Sequence, residues 1–210
     1  RIFLTIKKTI ITKNDCYKAG RTITPKGIMI HSTATPGVMA KDWFSRWNKG
    51  NLDTAVHAFV DDSVICQHLE WNHRAWHCGS SGNNTHISME LCEPRDWKTN
   101  KAYFTACYKN AVELAVYLCQ KFSLDANNII SHKEGYKKGI ASNHGDPEHW
   151  FKHFGVTMDT FRADVKKKLK GTSLSPKEPS SLQKGDQGKK VTALQKRLNL
   201  MKIRLALAFN

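Results

Sequence analysis

The stretch Gly27-Ile-Met-Ile-His31, with Ser-Thr-Ala-Thr-Pro-Gly37 directly after it, is the part of the sequence that decides the fold. A short apolar run that ends in a histidine predicts a buried strand, and the polar, Pro- and Gly-containing residues after it predict a loop. A strand end holds a side chain rigidly, and the loop that follows can shape the rim of a cleft. We therefore expect His31 to lie in a cleft.

Short β-rich runs and helical stretches alternate along the rest of the first 170 residues. The further strand candidates are 55–60, 63–67, 87–92 and 128–131. Within 102–122, apolar side chains recur every three or four residues, which predicts a helix packed on a sheet. Shorter helices are expected at 39–47 and 158–169. The alternation predicts a mixed α/β domain whose sheet carries the functional site.

A change of composition marks the end of this domain. Residues 171–188, GTSLSPKEPSSLQKGDQG, are rich in Ser, Pro, Gly and charge, as linkers are. We predict a domain over 1–170, a linker over 171–182 and a short helical segment over 183–210. Because one helix cannot bury its own apolar stripe, we expect that segment to be disordered, packed on the domain or paired with another copy.

The charge of the chain is strongly positive, at +15. Nucleic acid, an anionic membrane and an anionic cell wall would each attract such a protein. No helix-turn-helix, zinc-finger or RNA-binding signature is present, so nucleic-acid binding is not expected. The first apolar run, Ile2 to Ile6, is shorter than the core of a signal peptide or a membrane span. We therefore expect a protein made in soluble form, without a visible signal peptide or membrane insertion.

The six cysteines are dispersed and form no C-x-x-C pair. Neither a disulfide scaffold nor a cysteine-rich metal site has this spacing. We expect reduced, mostly buried thiols that pack as small apolar side chains.

Two further residues have placements that suit a metal site together with His31. His132 ends the run Asn128-Ile-Ile-Ser-His132, and Asp146 follows in a loop rich in Gly and Asn. Two imidazoles and one carboxylate leave a fourth tetrahedral position open, as in catalytic zinc sites. Non-haem iron uses a similar donor set, whereas zinc suits hydrolysis without a redox partner. The sequence therefore predicts a Zn²⁺ site.

Five separated motifs carry a family resemblance. They are the His31 strand, the 55–60 strand, Arg74-Ala-Trp-His-Cys-Gly79, Ile87-Ser-Met-Glu-Leu91, and His132 with Asp146-Pro147. Their order resembles the amidase-2 family, which contains phage and bacterial N-acetylmuramoyl-L-alanine amidases and is related to the peptidoglycan recognition proteins. The resemblance covers roughly residues 7–154, and 139–150 is similar to clostridial and bacillary autolysins and phage endolysins.

The resemblance implies a fold, a reaction and a place of action. The fold is a central mixed β-sheet flanked by helices, with zinc in a groove on one face. The reaction is hydrolysis of the amide bond between N-acetylmuramic acid and L-alanine in peptidoglycan, at the bacterial cell wall. Residues 183–210 resemble the start of a small helical peptidoglycan-binding domain. Because some relatives of this fold only recognise peptidoglycan, a non-catalytic binding module is the alternative.

The resemblance also assigns roles around the metal. His31, His132 and Asp146 match the protein ligands, and Glu90 matches an acidic residue that faces the metal and takes a proton from water. His144 could donate a hydrogen bond to the developing oxyanion. A rival assignment makes His144 the third ligand and Asp146 a residue that contacts the ligands without binding the metal.

Three residues match positions of the family's substrate groove: His57, Trp76 and His77. Packing and hydrogen bonding within the fold are the alternative for these side chains. Neither the phage or bacterial origin nor the oligomeric state follows from the sequence.

Overall fold

A computed structural model describes residues 5–172, and in this range the chain forms six strands and six α-helices. The elements in chain order are β1 Ile6–Lys8, α1 Asp15–Lys18, β2 Gly27–Ser32, α2 Trp43–Trp47, β3 Ala58–Val60, β4 Ile65–Gln67, β5 His86–Leu91, α3 Lys101–Phe122, β6 Ile129–Ser131, α4 His132–Lys137, α5 Glu148–Phe151 and α6 Met158–Thr172. Short 3-10 turns occupy Ala40–Asp42, Ser81–Asn84, Ala126–Asn128 and Lys152–Phe154.

The strands form one mixed sheet in the order β1-β4-β3-β5-β2-β6. Neighbouring strands are parallel, except that β3 and β4 run antiparallel. The register between β2 and β5 sets His31 beside Glu90, and the register between β3 and β5 sets Phe59 on the other side of Glu90. The predicted mixed sheet flanked by helices is confirmed.

One face of the sheet packs against α3. Ile28 and Ile30 of β2 and Met89 of β5 are fully buried in the same apolar cluster as the inner face of this helix. The helix contributes Phe104, Cys107, Ala111, Val112, Leu114, Ala115, Val116, Leu118 and Cys119 to that cluster. Alternate residues of a strand point to opposite faces, so the residues between these apolar positions face away from α3.

The opposite face begins with a smaller apolar cluster and ends in polar side chains. Met29 packs with Cys78, Ile130 and Ala141. His31 follows Met29 two positions along β2, on the same face. The sheet therefore holds its chemistry on the side away from its longest helix.

Several predicted boundaries differ from the structure. The run that ends in His132 is a strand only through Ser131, and His132 is the first residue of α4. Residues 55–57 lie outside β3, and the elements β1, α1 and α5 were not predicted.

The C-terminal predictions lie almost entirely outside the described residues. Helix α6 continues through Thr172, so the first two residues of the predicted linker are helical. The rest of that linker and the whole of 183–210 lie beyond the described range.

Two compositional predictions can be compared with the described residues. All six cysteines are buried free thiols, as expected. Among residues 5–172, no helix has the length and apolar character that crossing a membrane requires.

Candidate metal centre

Three side chains from distant parts of the chain converge at the end of the sheet. His31 Nδ1 lies 2.9 Å from His132 Nδ1 and 3.2 Å from Asp146 Oδ2. His132 Nδ1 lies 3.5 Å from Asp146 Oδ1. All three residues are buried, the most exposed being Asp146 at 9%. The three residues that the sequence predicted as metal ligands are thus brought together.

His132 is positioned by the N-terminus of α4. Ser131 caps this helix: its Oγ accepts from Glu134 N at 2.9 Å, and Glu134 Oε2 accepts from Ser131 N at 3.0 Å. Arg162 of α6 donates to both oxygens of Glu134, at 2.9 Å each, and to Ile129 O at 3.0 Å. This reciprocal capping pattern fixes the angle at which the chain leaves β6, and with it the His132 side chain.

The charge balance of the cluster depends on burial and on the carboxylate. Burial lowers the pKa of His31, and its contacts with Asp146 oppose that change only in part. Burial alone would raise the pKa of Asp146, but the hydrogen bonds with His132 and His31 outweigh it and hold the pKa below its usual range. The carboxylate is therefore anionic at neutral pH, as a metal ligand must be.

The donor set fits zinc. Zinc–ligand bonds of about 2.0–2.1 Å at tetrahedral angles place neighbouring donor atoms roughly 3.3 Å apart. The three separations of 2.9, 3.2 and 3.5 Å bracket that distance. Among the described residues, His31, His132 and Asp146 form the one group of histidine, cysteine and acidic side chains close enough to share an ion. Two imidazoles and one carboxylate also leave a tetrahedral position free for water or substrate.

Glu90 faces the cluster from the neighbouring strand. It lies beside His31 in the β2–β5 register, and its Oε2 atom is buried without a hydrogen-bond partner among residues 5–172. Burial, together with the negative charges of Asp146 and Glu93, raises the pKa of Glu90 well above its ordinary value. A raised pKa of this kind is typical of carboxyl groups that act in general acid–base catalysis.

The cluster lies in an open groove of about 590 Å³. The groove walls include Trp76, His77 and His144, all three of which the sequence placed at the site. Asp53 and Thr54 also line it. A groove of this volume can hold a ligand, or part of a larger substrate, beside the cluster.

Of the two residues that the sequence offered for the third ligand position, Asp146 lies within the cluster and His144 lies outside it. Its carboxylate approaches both histidine ligands, with one oxygen near each. His144 is exposed, and its Nδ1 lies 3.0 Å from Ser142 Oγ. Ser142 Oγ in turn lies 3.2 Å from His132 Nε2. His144 thus lies at the edge of the cluster and lines the groove.

Comparison with known proteins identifies the family. The profile described as N-acetylmuramoyl-L-alanine amidase, Amidase_2, matches residues 21–149, a range that contains every residue of the cluster. The chain belongs to the Amidase_2 family.

Curated members of the Amidase_2 family include close sequence relatives. The amidase CwlH of Bacillus subtilis is 32% identical over 137 residues, which cover 62% of this chain and 53% of CwlH. The amidase XlyA of the same species is 36% identical over 121 residues, which cover 55% of this chain and 39% of XlyA. The chain thus spans about half the length or less of these relatives.

Solved structures agree with the Amidase_2 fold. The catalytic domain of XlyA superimposes with a TM-score of 0.60 at 28% identity, covering 77% of this chain and 99% of that domain. The Staphylococcus aureus hydrolase AmiA, solved with its ligand, gives a TM-score of 0.68 at 20% identity and covers 82% of this chain and 87% of AmiA.

In this Amidase_2 chain, His57 does not reach the groove, contrary to the expectation that it contacts substrate. It is fully buried, and both ring nitrogens are engaged within the fold. Nδ1 accepts from Ser88 N at 3.0 Å, and Nε2 donates to His73 O at 2.8 Å. Burial lowers the pKa of His57 to about 4. The alternative of packing and hydrogen bonding describes its position.

The structure adds a pair to the Amidase_2 groove that the sequence did not indicate. His149 lines the groove, and its Nε2 donates to buried Glu93 Oε1 at 2.8 Å. The same oxygen accepts from Ala34 N at 3.2 Å, and Ala34 has a left-handed backbone with φ of 44°. Glu93 therefore ties the loop after His31 to α5. No local sequence signal links residues 56 positions apart.

Proposed function

We propose that this chain is a zinc-dependent N-acetylmuramoyl-L-alanine amidase, which hydrolyses the amide bond between N-acetylmuramic acid and L-alanine in bacterial peptidoglycan. The observation that carries the proposal is the buried donor set of His31, His132 and Asp146 at the base of an open groove. The names of the relatives, which are N-acetylmuramoyl-L-alanine amidases, support the choice of bond.

The three ligands have a defined task in this reaction. His31 and His132 offer Nδ1 atoms and Asp146 offers a carboxylate oxygen, and together they would hold zinc on one side only. When bound, zinc lowers the pKa of water and polarises a carbonyl group, which is the chemistry that amide hydrolysis requires.

Glu90 moves the proton. Its Oε2, which has no hydrogen-bond partner in the described part of the chain, lies on the strand beside His31, where it accepts the proton of the attacking water. The new bond joins the water oxygen to the lactyl carbonyl carbon. As the carbon–nitrogen bond breaks, Glu90 returns the proton to the alanine nitrogen, so the products are a carboxylic acid and a free amine.

The rim of the groove stabilises and orients the substrate. His144 is exposed beside His132, where it donates to the oxyanion that develops on the attacked carbonyl. Trp76 lines the same groove and offers an aromatic surface to the sugar or the peptide. The expected partner is therefore peptidoglycan, and the place of action is the cell wall.

The test is a metal and product assay on the full chain. Purified protein is expected to contain about one zinc per chain and to release alanine amino groups from purified cell walls. Protein that holds zinc and binds walls without releasing amino groups would be a binding module, and the proposal would be wrong. Protein that neither holds zinc nor releases amino groups would overturn it as well.

A matched pair of variants tests the ligand assignment. Asp146→Ala is expected to lose zinc and turnover together. His144→Ala is expected to keep zinc and to lose a large part of its turnover, because it removes only a donor. Loss of zinc in His144→Ala, with zinc retained in Asp146→Ala, would exchange the two roles.

A further inference from the structure

His31 is held at both of its ring nitrogens. Nδ1 faces the candidate ligand cluster, and Nε2 lies 3.0 Å from His77 Nδ1. The two rings are nearly perpendicular, with an interplanar angle of 83° and centroids 5.1 Å apart. His31 is 1% exposed and His77 is 9% exposed, so water does not compete for this contact. The contact joins β2 to a loop 46 residues further along the chain.

The protons of this pair follow from the direction of the metal site. With a metal bound, His31 Nδ1 would offer its lone pair to the ion, so the ring proton of neutral His31 would be on Nε2. That proton is donated to His77 Nδ1, which therefore acts as the acceptor. His77 then carries its own proton on Nε2. This arrangement fixes both the tautomer and the ring orientation of His31.

The His77 loop is itself rigidly held. Asn83 Oδ1 accepts from His77 N at 2.9 Å and from Cys78 N at 3.0 Å. Asn83 is buried and lies in the 3-10 turn before β5, which is the strand that carries Glu90. His77 Nε2, by contrast, has no hydrogen-bond partner within residues 5–172. The contacts of His77 thus concentrate on His31 and leave the other ring nitrogen unused.

We propose that His77 is a positioning residue for the metal centre: it accepts the Nε2 proton of His31 and so directs the Nδ1 lone pair of His31 to the metal. The inference rests on the proposed zinc site. It replaces the expectation that His77 binds substrate directly. Partners of this kind commonly change metal affinity by about 10- to 100-fold when they are removed.

The test compares zinc affinities of two His77 variants, measured by chelator competition. His77→Leu removes the acceptor and is expected to weaken zinc binding about 10- to 100-fold. His77→Asn places an oxygen near the position of Nδ1 and is expected to recover most of the affinity. Asparagine lacks a counterpart of Nε2, but that atom has no partner among residues 5–172 that could be lost. Recovery by asparagine is an effect that simple packing at this position would not produce.

A buried histidine away from the site provides the control. His68 is fully buried, and neither of its ring nitrogens has a partner in the described part of the chain. His68→Leu is therefore expected to leave zinc affinity unchanged. The visible absorption spectrum of Co²⁺-loaded protein gives a second measurement: it should change in His77→Leu and match wild type in His68→Leu.

Each outcome has a distinct meaning. Wild-type protein that fails to bind zinc would overturn the proposed function together with this inference. Wild-type protein that binds zinc, with unchanged affinity in His77→Leu, would overturn the inference alone, and so would equal weakening in the leucine and asparagine variants. If His77→Leu does not fold, Asn83→Ala is compared with Asn83→Asp, which keeps an acceptor oxygen. Equal zinc affinities in those two variants would also contradict the inference.

Discussion

The two faces of strands β2 and β5 differ in what they bury. Toward α3, Ile30 and Met89 enter a continuous apolar cluster. Toward the groove, His31 and Glu90 come next along the same strands and line the groove, and one oxygen of Glu90 has no partner among the described residues. Of two residues adjacent in sequence, one therefore packs in the apolar core and the other lines the groove.

The difference shows how a small domain separates stability from chemistry. The α3 face stabilises the folded state, because it removes apolar surface from water. The groove face destabilises the folded state, because it buries histidines and carboxyl groups that water would otherwise solvate. A substitution on one face should therefore affect folding, and a substitution one residue away should affect turnover.

The largest effect is expected from His31→Ala. Removing one of three donors should abolish zinc binding and bring the release of amino groups from cell walls down to background. In His31→Ala, the free energy of unfolding of the metal-free protein should also change less than it does in substitutions on the α3 face. Turnover that survives in this variant would show that the groove face does not hold the reaction.

Glu90→Gln is expected to have the next largest effect. Glutamine keeps the shape of the side chain but cannot accept a proton, so turnover should fall about 10²- to 10⁴-fold. Zinc content should stay at the wild-type level, because Glu90 is not a ligand. Near-normal turnover would assign the proton transfer to another group.

Met89→Ala tests the face of the sheet that packs against α3. Met89 is fully buried between β5 and α3. Its truncation should lower the free energy of unfolding by about 2–5 kcal/mol, as measured by chemical denaturation of the metal-free protein. The zinc content of the folded fraction should not change. Loss of zinc from folded molecules would mean that the two faces are not independent.

The smallest effect concerns the pair His149 and Glu93. The hydrogen bond with Glu93 raises the pKa of His149; burial opposes this, Asp146 adds to it and Lys152 opposes it. Since the folded pKa lies above the unfolded value of about 6.5, the pair stabilises fully below that pH and loses its effect as pH rises through the folded pKa.

His149→Gln tests this pH dependence. The stability of the variant should vary less with pH above about 6.5 than that of wild type, by less than about 1 kcal/mol. Thermal unfolding across a pH series measures the difference. Identical pH profiles would exclude a stabilising role for the pair.

The sequence predicted those parts of the molecule whose signal is local. The strand that ends at His31 was found from its continuous apolar run, and the helix 102–122 was found from apolar residues that recur about every 3.6 positions. Strand β1 was missed because it is three residues long, Ile6-Lys7-Lys8, and two of them are exposed lysines. The start of α4 at His132 was missed, although Ser131 and Glu134 have the spacing of a capping box and could have indicated it.

The candidate site was predicted as a set of residues but not as a set of contacts. His31, His132 and Asp146 were chosen from their placement and from the family motifs, and they do converge. The contact between His31 and His77 has no sequence signal, because their distance depends on how a loop folds over β2. The sequence likewise could not predict that His57 lies outside the groove, because this depends on the contacts of its ring with Ser88 and His73.

The candidate ligands come from widely separated segments: His31 lies 101 residues before His132 and 115 residues before Asp146. Bringing such distant segments together costs loop-closure entropy. An ion held by all three would join these distant segments and would bind the folded chain in preference to the unfolded one. Zinc would then add to stability by mass action, so a chelator should lower the unfolding temperature even where no enzymatic activity is measured.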